Sequence, residues 1–480
     1  MTFAIVFFLN ALANFALGIL LSAILGPEEF GLYATTVLAA TTAGLALFDW
    51  LRLSAIRFSR DPARAVEISS SLDVAYLVMM GLTAAAAVVC GVTGFDFGLR
   101  AGLLGLLAPL TIGIARYDYS AAFLRGRNDG RAFAWFCLFR HGFTFATVLA
   151  LSRFTHDARA FLLALAVSCF IPMTAQRRSL RGVGEGVSAA TWEVTRRFAG
   201  YAAPIVISTV LYQSIALINR RYAITHFGLA DAGRLSLATD VGFRLFLALN
   251  VLPETLLFDW ALRRERNEGR AAAEAQLSIN GGFVLALLVP LATAYCVLAP
   301  TIGALIVPSA YRESFFVLAP RLAPGLLAYC LMLSVFYPIF QLAQRTLPLT
   351  VTATAAVVTD LALLYTQPFS DDVAGLAACH SAALGVACLV AAIFGFRARA
   401  VRPRLRDAAG AFIAAAALAL VVRPFNGFSS PLASAGLAAI VGGGAAFGIL
   451  LAADAAGLRG FALSMHGRLR SPGRPILRKS

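Results

Sequence analysis

The sequence predicts an all-α polytopic membrane protein of about fourteen transmembrane helices, and three observations predict it. Hydrophobic residues fill 59% of the 480 positions and charged residues only 14%. Mean hydropathy is +0.78, well beyond what a chain folding in water carries. Apolar stretches of roughly 20 residues, the length that crosses a hydrocarbon core of about 30 Å, recur along the whole chain, separated by short polar, Arg-rich or Gly/Pro-rich breaks.

In order, the apolar windows run 3–25, 30–51, 71–93, 100–122, 132–152, 159–176, 199–218, 234–257, 277–299, 318–340, 347–366, 374–395, 408–423 and 431–452. The first lacks a basic flank and a small-residue cleavage site, so it is expected to be a retained helix and not a signal peptide. An even number of crossings puts both ends on one side. Alternate breaks carry most of the arginines: Arg52, Arg57, Arg60 and Arg64; Arg196 and Arg197; Arg263, Arg264, Arg266 and Arg270; Arg397 to Arg406; and the tail from Arg459 to Lys479. The positive-inside rule therefore places both termini in the cytoplasm.

A formal net charge of +15 suggests a nucleic-acid binder, but the basic residues punctuate apolar runs and do not gather on one face. Lys479 is the single lysine, so no Walker A loop exists and the chain is no self-powered P-loop ATPase. Seven cysteines form no CxxC pair and five histidines show no ligand spacing; neither a metal nor a cofactor is expected. The breaks assigned to the outer side are short and the chain holds no DxD triplet, which disfavours a membrane glycosyltransferase or polymerase. No enzyme and no nucleic-acid partner are expected.

An internal echo divides the chain. Leu25-Gly26-Pro27-Glu28-Glu29-Phe30-Gly31-Leu32-Tyr33-Ala34, between the first two windows, parallels Phe227-Gly228-Leu229-Ala230-Asp231-Ala232-Gly233-Arg234-Leu235-Ser236, between the seventh and eighth. Both read apolar, Gly, two residues, acid, apolar, Gly, which suits a tight reversal: glycine ends one helix and acids favour the start of the next. The expected organisation is a six-helix lobe with its connecting loop over 1–198, a second six-helix lobe over 199–400, and two further helices with a basic tail over 401–480, the duplication common among secondary transporters.

Ionisable groups inside apolar windows cost about 2.5–3.5 kcal/mol each on insertion scales and normally face a bundle interior or a wet cavity. Arg116 and Arg140 lie inside windows; Asp240 and Arg244, at i and i+4, share a helix face; Asp360 lies in the eleventh window; Asp49 and Arg52, at i and i+3, close the second. Two roles are open to them: ion pairs that fix helix packing, with Arg52 and Arg57 snorkelling to headgroups, or the lining of a hydrated passage. Arg220 and Arg221, near the end of the seventh window, are placed to join such a lining. Gly442, Gly443 and Gly444 read as close helix packing, Glu185 and Glu193 as a solvated face, and the tail as an anionic-lipid contact.

The first turn, followed by a helix ending Phe48-Asp49-Trp50-Leu51-Arg52-Leu53-Ser54-Ala55-Ile56-Arg57-Phe58, resembles the polysaccharide flippases of the O-antigen type in the multidrug/oligosaccharidyl-lipid/polysaccharide (MOP) exporter superfamily. Members typically carry a similar LGPxxFGxYA turn and a helix ending like D-x-G-L-x-x-A-x-x-R. Local likeness spans about residues 10 to 60; elsewhere it rests on the helix pattern. The chain departs from the family at Ser22-Ala23-Ile24, where a basic residue is common, and at Asn219-Arg220-Arg221, where an acidic one is. The resemblance implies a monomeric flippase of the bacterial inner membrane, working by alternating access, that moves a polyprenyl-diphosphate oligosaccharide for lipopolysaccharide O-antigen or exopolysaccharide synthesis. Arg140, Arg244, Arg116, Arg52, Arg220 and Arg221 would hold the diphosphate. Asp49, Asp240 and Asp360 would serve any H⁺ or Na⁺ coupling. Membrane lipids and polysaccharide polymerase or export proteins would be the partners. A cation-coupled multidrug exporter of the same superfamily is the alternative.

Overall fold

A computed structural model describes residues 2–58, 65–93, 101–175, 180, 190–343, 347–369, 371–398, 403–427 and 430–459. The side chain of Arg57, and Arg60, Arg64, Glu185, Arg399, Arg402 and the tail beyond Arg459, lie outside the described residues. Helices follow one another as α1 (Thr2–Phe58), α2 (Ala65–Thr93), α3 (Ala101–Gly126), α4 (Gly130–Leu151), α5 (Ala158–Ser168), α6 (Ile171–Ala175), α7 (Trp192–His226), α8 (Leu229–Glu268) and α9 (Arg270–Val297). There follow α10 (Ala299–Ile306), α11 (Arg312–Leu331), α12 (Tyr337–Leu342), α13 (Leu347–Thr366), α14 (Val373–Ala398), α15 (Leu405–Val422), α16 (Pro431–Leu437) and α17 (Gly443–Ala452). No strand occurs among the described residues. Among the described residues eleven helices are long and apolar enough to cross a membrane. The kinked α1 supplies a single stretch of 49 residues to that set, and α3 and α8, which carry the embedded charges Arg116 and Asp240 with Arg244, fall outside it.

Two compact units divide the chain. The first is built from Met1–Ala248, Ile306–Leu322 and Thr346–Ala387, the second from Leu249–Leu305, Ala323–Arg345 and Cys388–Ser480.

In the first unit α1 bends at Gly26, whose φ of 70° is open to glycine and costly for a side chain; Pro27 then starts the second limb without the backbone donor a helix interior needs. Gly228, with φ 93°, ends α7 in the same manner. The two echoed turns pack on one another. A Cβ at Gly31 would strike the Leu229 carbonyl and Gly233, and a Cβ at Gly233 would strike the Pro27 carbonyl. Glu29 serves another helix: its carboxylate accepts the Ala158 backbone N–H at 2.9 Å at the start of α5, beside Asp157, which accepts from Arg159 at 2.8 Å. Asp231 pairs with Arg234 at 2.7 Å. Phe48, Leu51, Leu72, Tyr76, Tyr119 and Phe198 form one buried cluster among α1, α2, α3 and α7.

Small residues govern the second unit. Ala411, Ala414, Ala415 and Leu418 bury one face of α15 against Ala286 and Val289 of α9. Gly442 has no room for a side chain because Val422 fills the space, whereas Gly443 and Gly444 face open space. Close packing, expected of all three glycines, thus falls to Gly442. Asp407 accepts the Ala456 N–H at 3.0 Å, and Asn426 bonds Thr301 at 3.0 Å and the Val297 carbonyl at 2.7 Å. These bonds tie α15 and its following turn to their neighbours.

A branched side chain at Gly233 must displace backbone, so Gly233→Val is expected to cost roughly 1–3 kcal/mol or more. Gly443→Ala, into open space, should change little. Thermal unfolding of the two purified variants in one detergent measures the contrast; equal midpoints would show that the two turns are not tightly apposed.

Candidate functional site

The first unit encloses a cavity of about 310 Å³ lined by α1, α3, α4, α5, α7 and α8. Because α1 bends at Gly26, both of its limbs face this space. Asn14, Gly18 and Leu21 line it from the first limb, and Tyr33, Val37 and Thr41, spaced four apart on one stripe, from the second. Gln213 and Arg220, two turns apart, come from α7. Asp240 and Arg244 come from α8, on the shared face their spacing predicts. Arg140 of α4 and Asp118 of α3 complete the charged lining.

The charges are not equivalent. Arg220 is buried and fully committed: Nη2 donates to Asp240 at 2.6 Å and Nη1 to the Ala34 carbonyl at 2.9 Å. It fixes α7 against α1 and α8, and Asp240 is neutralised in doing so. Arg140 lies 4.0 Å over the Tyr117 ring, which itself stacks on Phe136. That cation–π contact orients a guanidinium without cancelling its charge. Arg244 forms no ion pair among the described residues, and a Cβ at Gly18 would lie in ordinary van der Waals contact with its guanidinium, 4.0 Å from Nη2. Arg140 and Arg244 are therefore cations held open to the cavity.

The remaining predicted residues lie elsewhere. Asp49 and Arg52 are hydrogen-bonded to each other and line a smaller cavity of about 20 Å³ with Thr41, Phe48, Ile114 and Asp118. Arg116 points to the opposite side of α3 from Asp118, as residues two apart on a helix do. Its guanidinium sits 5.0 Å over Tyr76 and 5.6 Å over Tyr119, and 3.9 Å from Asp73. Arg221 lines neither cavity, and its Nη1 is buried without a hydrogen-bond partner. Asp360 of α13 is fully buried. The Asn219 amide nitrogen of α7 lies 3.0 and 3.2 Å from its oxygens and 3.3 Å from Nδ1 of His380 on α14.

Sequence reading missed Asp118, Asn14, Tyr33 and Gln213. Asp118 left a usable signal, a carboxylate inside the fourth apolar window beside Arg116. Uncharged Asn14, Tyr33 and Gln213 left none, because polar residues of that kind are ordinary in helix contacts.

No protein-family profile and no curated protein sequence matches the chain. Solved structures do. An inward-closed structure of the lipid II flippase MurJ superposes with TM-score 0.73 and 12% identity, covering 94% of this chain and 98% of that one. An inward-facing multidrug resistance MATE family transporter gives 0.64 and 15%, over 82% and 95%. A MOP superfamily transporter from Pyrococcus furiosus gives 0.53 and 14%, over 84% and 95%. At such identities the shared property is the path of the backbone, and on that ground the chain has the fold of the MOP-superfamily flippases and exporters.

Proposed function

We propose that this protein is a flippase that carries a lipid-linked oligosaccharide, bound through its diphosphate, across the bacterial inner membrane by alternating access, with both termini in the cytoplasm. One observation carries the reading: in a cavity of about 310 Å³ Arg140 and Arg244 present permanent positive charge with no carboxylate salt-bridged to either among the described residues. A guanidinium does not deprotonate and matches phosphate oxygens with a planar fork. A phosphorylated headgroup repays the cost of holding such groups at hydrocarbon depth, while its lipid tail stays in the bilayer. The fold shared with a lipid II flippase supports the same class of cargo. Translocation breaks no covalent bond, so no catalytic group is needed.

Coupling to H⁺ or Na⁺ is assigned to Asp360. Asp49 and Asp240 are held by Arg52 and Arg220, whereas Asp360 has the Asn219 amide for a neighbour and no arginine salt bridge among the described residues. The same carboxylate would serve a cation-coupled drug exporter, the second reading, which the likeness to MATE transporters favours. Against it, the cavity lining carries three arginines to two carboxylates, an excess of positive charge that repels a cationic drug.

Proteoliposomes with a defined polyprenyl-diphosphate sugar test the proposal. Arg140→Ala and Arg244→Ala should each lower transport about 30-fold or more while leaving folded protein, and normal transport in both would refute the site. Efflux of cationic dyes, undiminished in these variants, would instead establish the exporter. Asp360→Asn should abolish the dependence of transport on an imposed ion gradient yet leave headgroup binding intact; gradient dependence that survives removes Asp360 from coupling.

A further inference from the structure

Asp118 stands between two spaces. With Thr41 and Ile114 it lines both the large cavity of Arg140 and Arg244 and the smaller one of Asp49 and Arg52. Its side chain is exposed to these spaces and makes no hydrogen bond or salt bridge among the described residues. Thr41 does not hold it, because the threonine hydroxyl donates back to the Val37 carbonyl at 2.7 Å. Charge surrounds it on both sides: Arg140 acts on it from α4, and Arg52 and Asp49 act on it from α1. In the large cavity Asp240 is neutralised by Arg220, so Asp118 is the carboxylate left to offset Arg140 and Arg244.

A diphosphate entering beside Arg140 meets that carboxylate as a like charge, and at cavity distances two anions repel by an amount that matters to affinity. A group without hydrogen bonds turns at little cost. The smaller cavity offers a destination, since Arg52 uses its Nε donor on Asp49 and its other donors have no hydrogen bond among the described residues.

We propose that Asp118 is the exchangeable counterion of the large cavity: the anionic headgroup takes its place near Arg140, and Arg52 then receives it. This rests on the anionic-cargo reading and adds a specificity-determining residue to it. Neutral or cationic ligands would leave Asp118 in place, so the exchange sets the affinity for anions alone.

The experiment is binding of a polyprenyl diphosphate to the purified full-length protein in detergent, each variant first shown to be monodisperse. Asp118→Asn should tighten binding about tenfold, the scale of one removed like charge at a hydrated cavity edge, while Asp118→Glu, which keeps the charge, should stay near wild type. Arg52→Gln should weaken binding about fivefold with Asp118 present and have no effect in the Asp118→Asn background, because the recipient then has nothing to receive. Unchanged or weaker binding in Asp118→Asn, or an Arg52→Gln effect equal in both backgrounds, overturns the exchange. If Asp118→Asn is not monodisperse, Arg52→Gln alone decides: binding as tight as wild type overturns the proposal. Failure of the wild type to bind the diphosphate removes the anionic-cargo reading and this inference with it, whereas wild-type binding with an inert Asp118→Asn removes the exchange alone.

Discussion

Holding guanidinium groups inside a fold whose exterior is hydrocarbon is the constraint on which the first unit depends. An arginine at that depth needs a partner, an aromatic face or water, and each solution is present. Arg220 takes a partner in Asp240 and the Ala34 carbonyl, Arg116 takes two tyrosine faces, and Arg140 and Arg244 take the cavity. The bend at Gly26 belongs to the same solution, since it turns both limbs of α1 toward one space. Arg220 differs from the others in what it does: its hydrogen bonds to a backbone carbonyl and to Asp240 make it a brace between helices.

The helices were legible because their length is dictated by the bilayer, and among the described residues each apolar window falls mainly on helix. Gly26 and Gly228, aligned by a ten-residue echo, both adopt positive φ, and the paired Gly31 and Gly233 touch. Rotation of each helix about its axis was far less legible. Where a helix is apolar on all sides, nothing in the sequence says which way an embedded charge points, so Arg116 was grouped with Arg140 although it faces Tyr76 and Tyr119. The i, i+4 pair Asp240 and Arg244 escaped this ambiguity because the spacing itself puts both on one face. The surroundings of Asp360 were illegible for another reason: the amide that meets it, Asn219, belongs to a helix 141 positions away in the chain.

A backbone path shared with a lipid II flippase and with multidrug transporters means that the scaffold alone does not choose a cargo. Under the proposed function the choice falls to a handful of charges at the cavity wall, where a change of one sign alters which ligands are stabilised and which repelled. None of the residues lining the large cavity belongs to the second unit. Its alanine-lined contact between α9 and α15 and its buried bonds from Asn426 and Asp407 are devices of close packing.

The reciprocal seat of Gly31 and Gly233 has an evolutionary reading. Each glycine is the other's clearance, so a lineage cannot enlarge one position and leave the other to drift. Either turn can therefore exchange its glycine only together with a shift of the backbone it rests on.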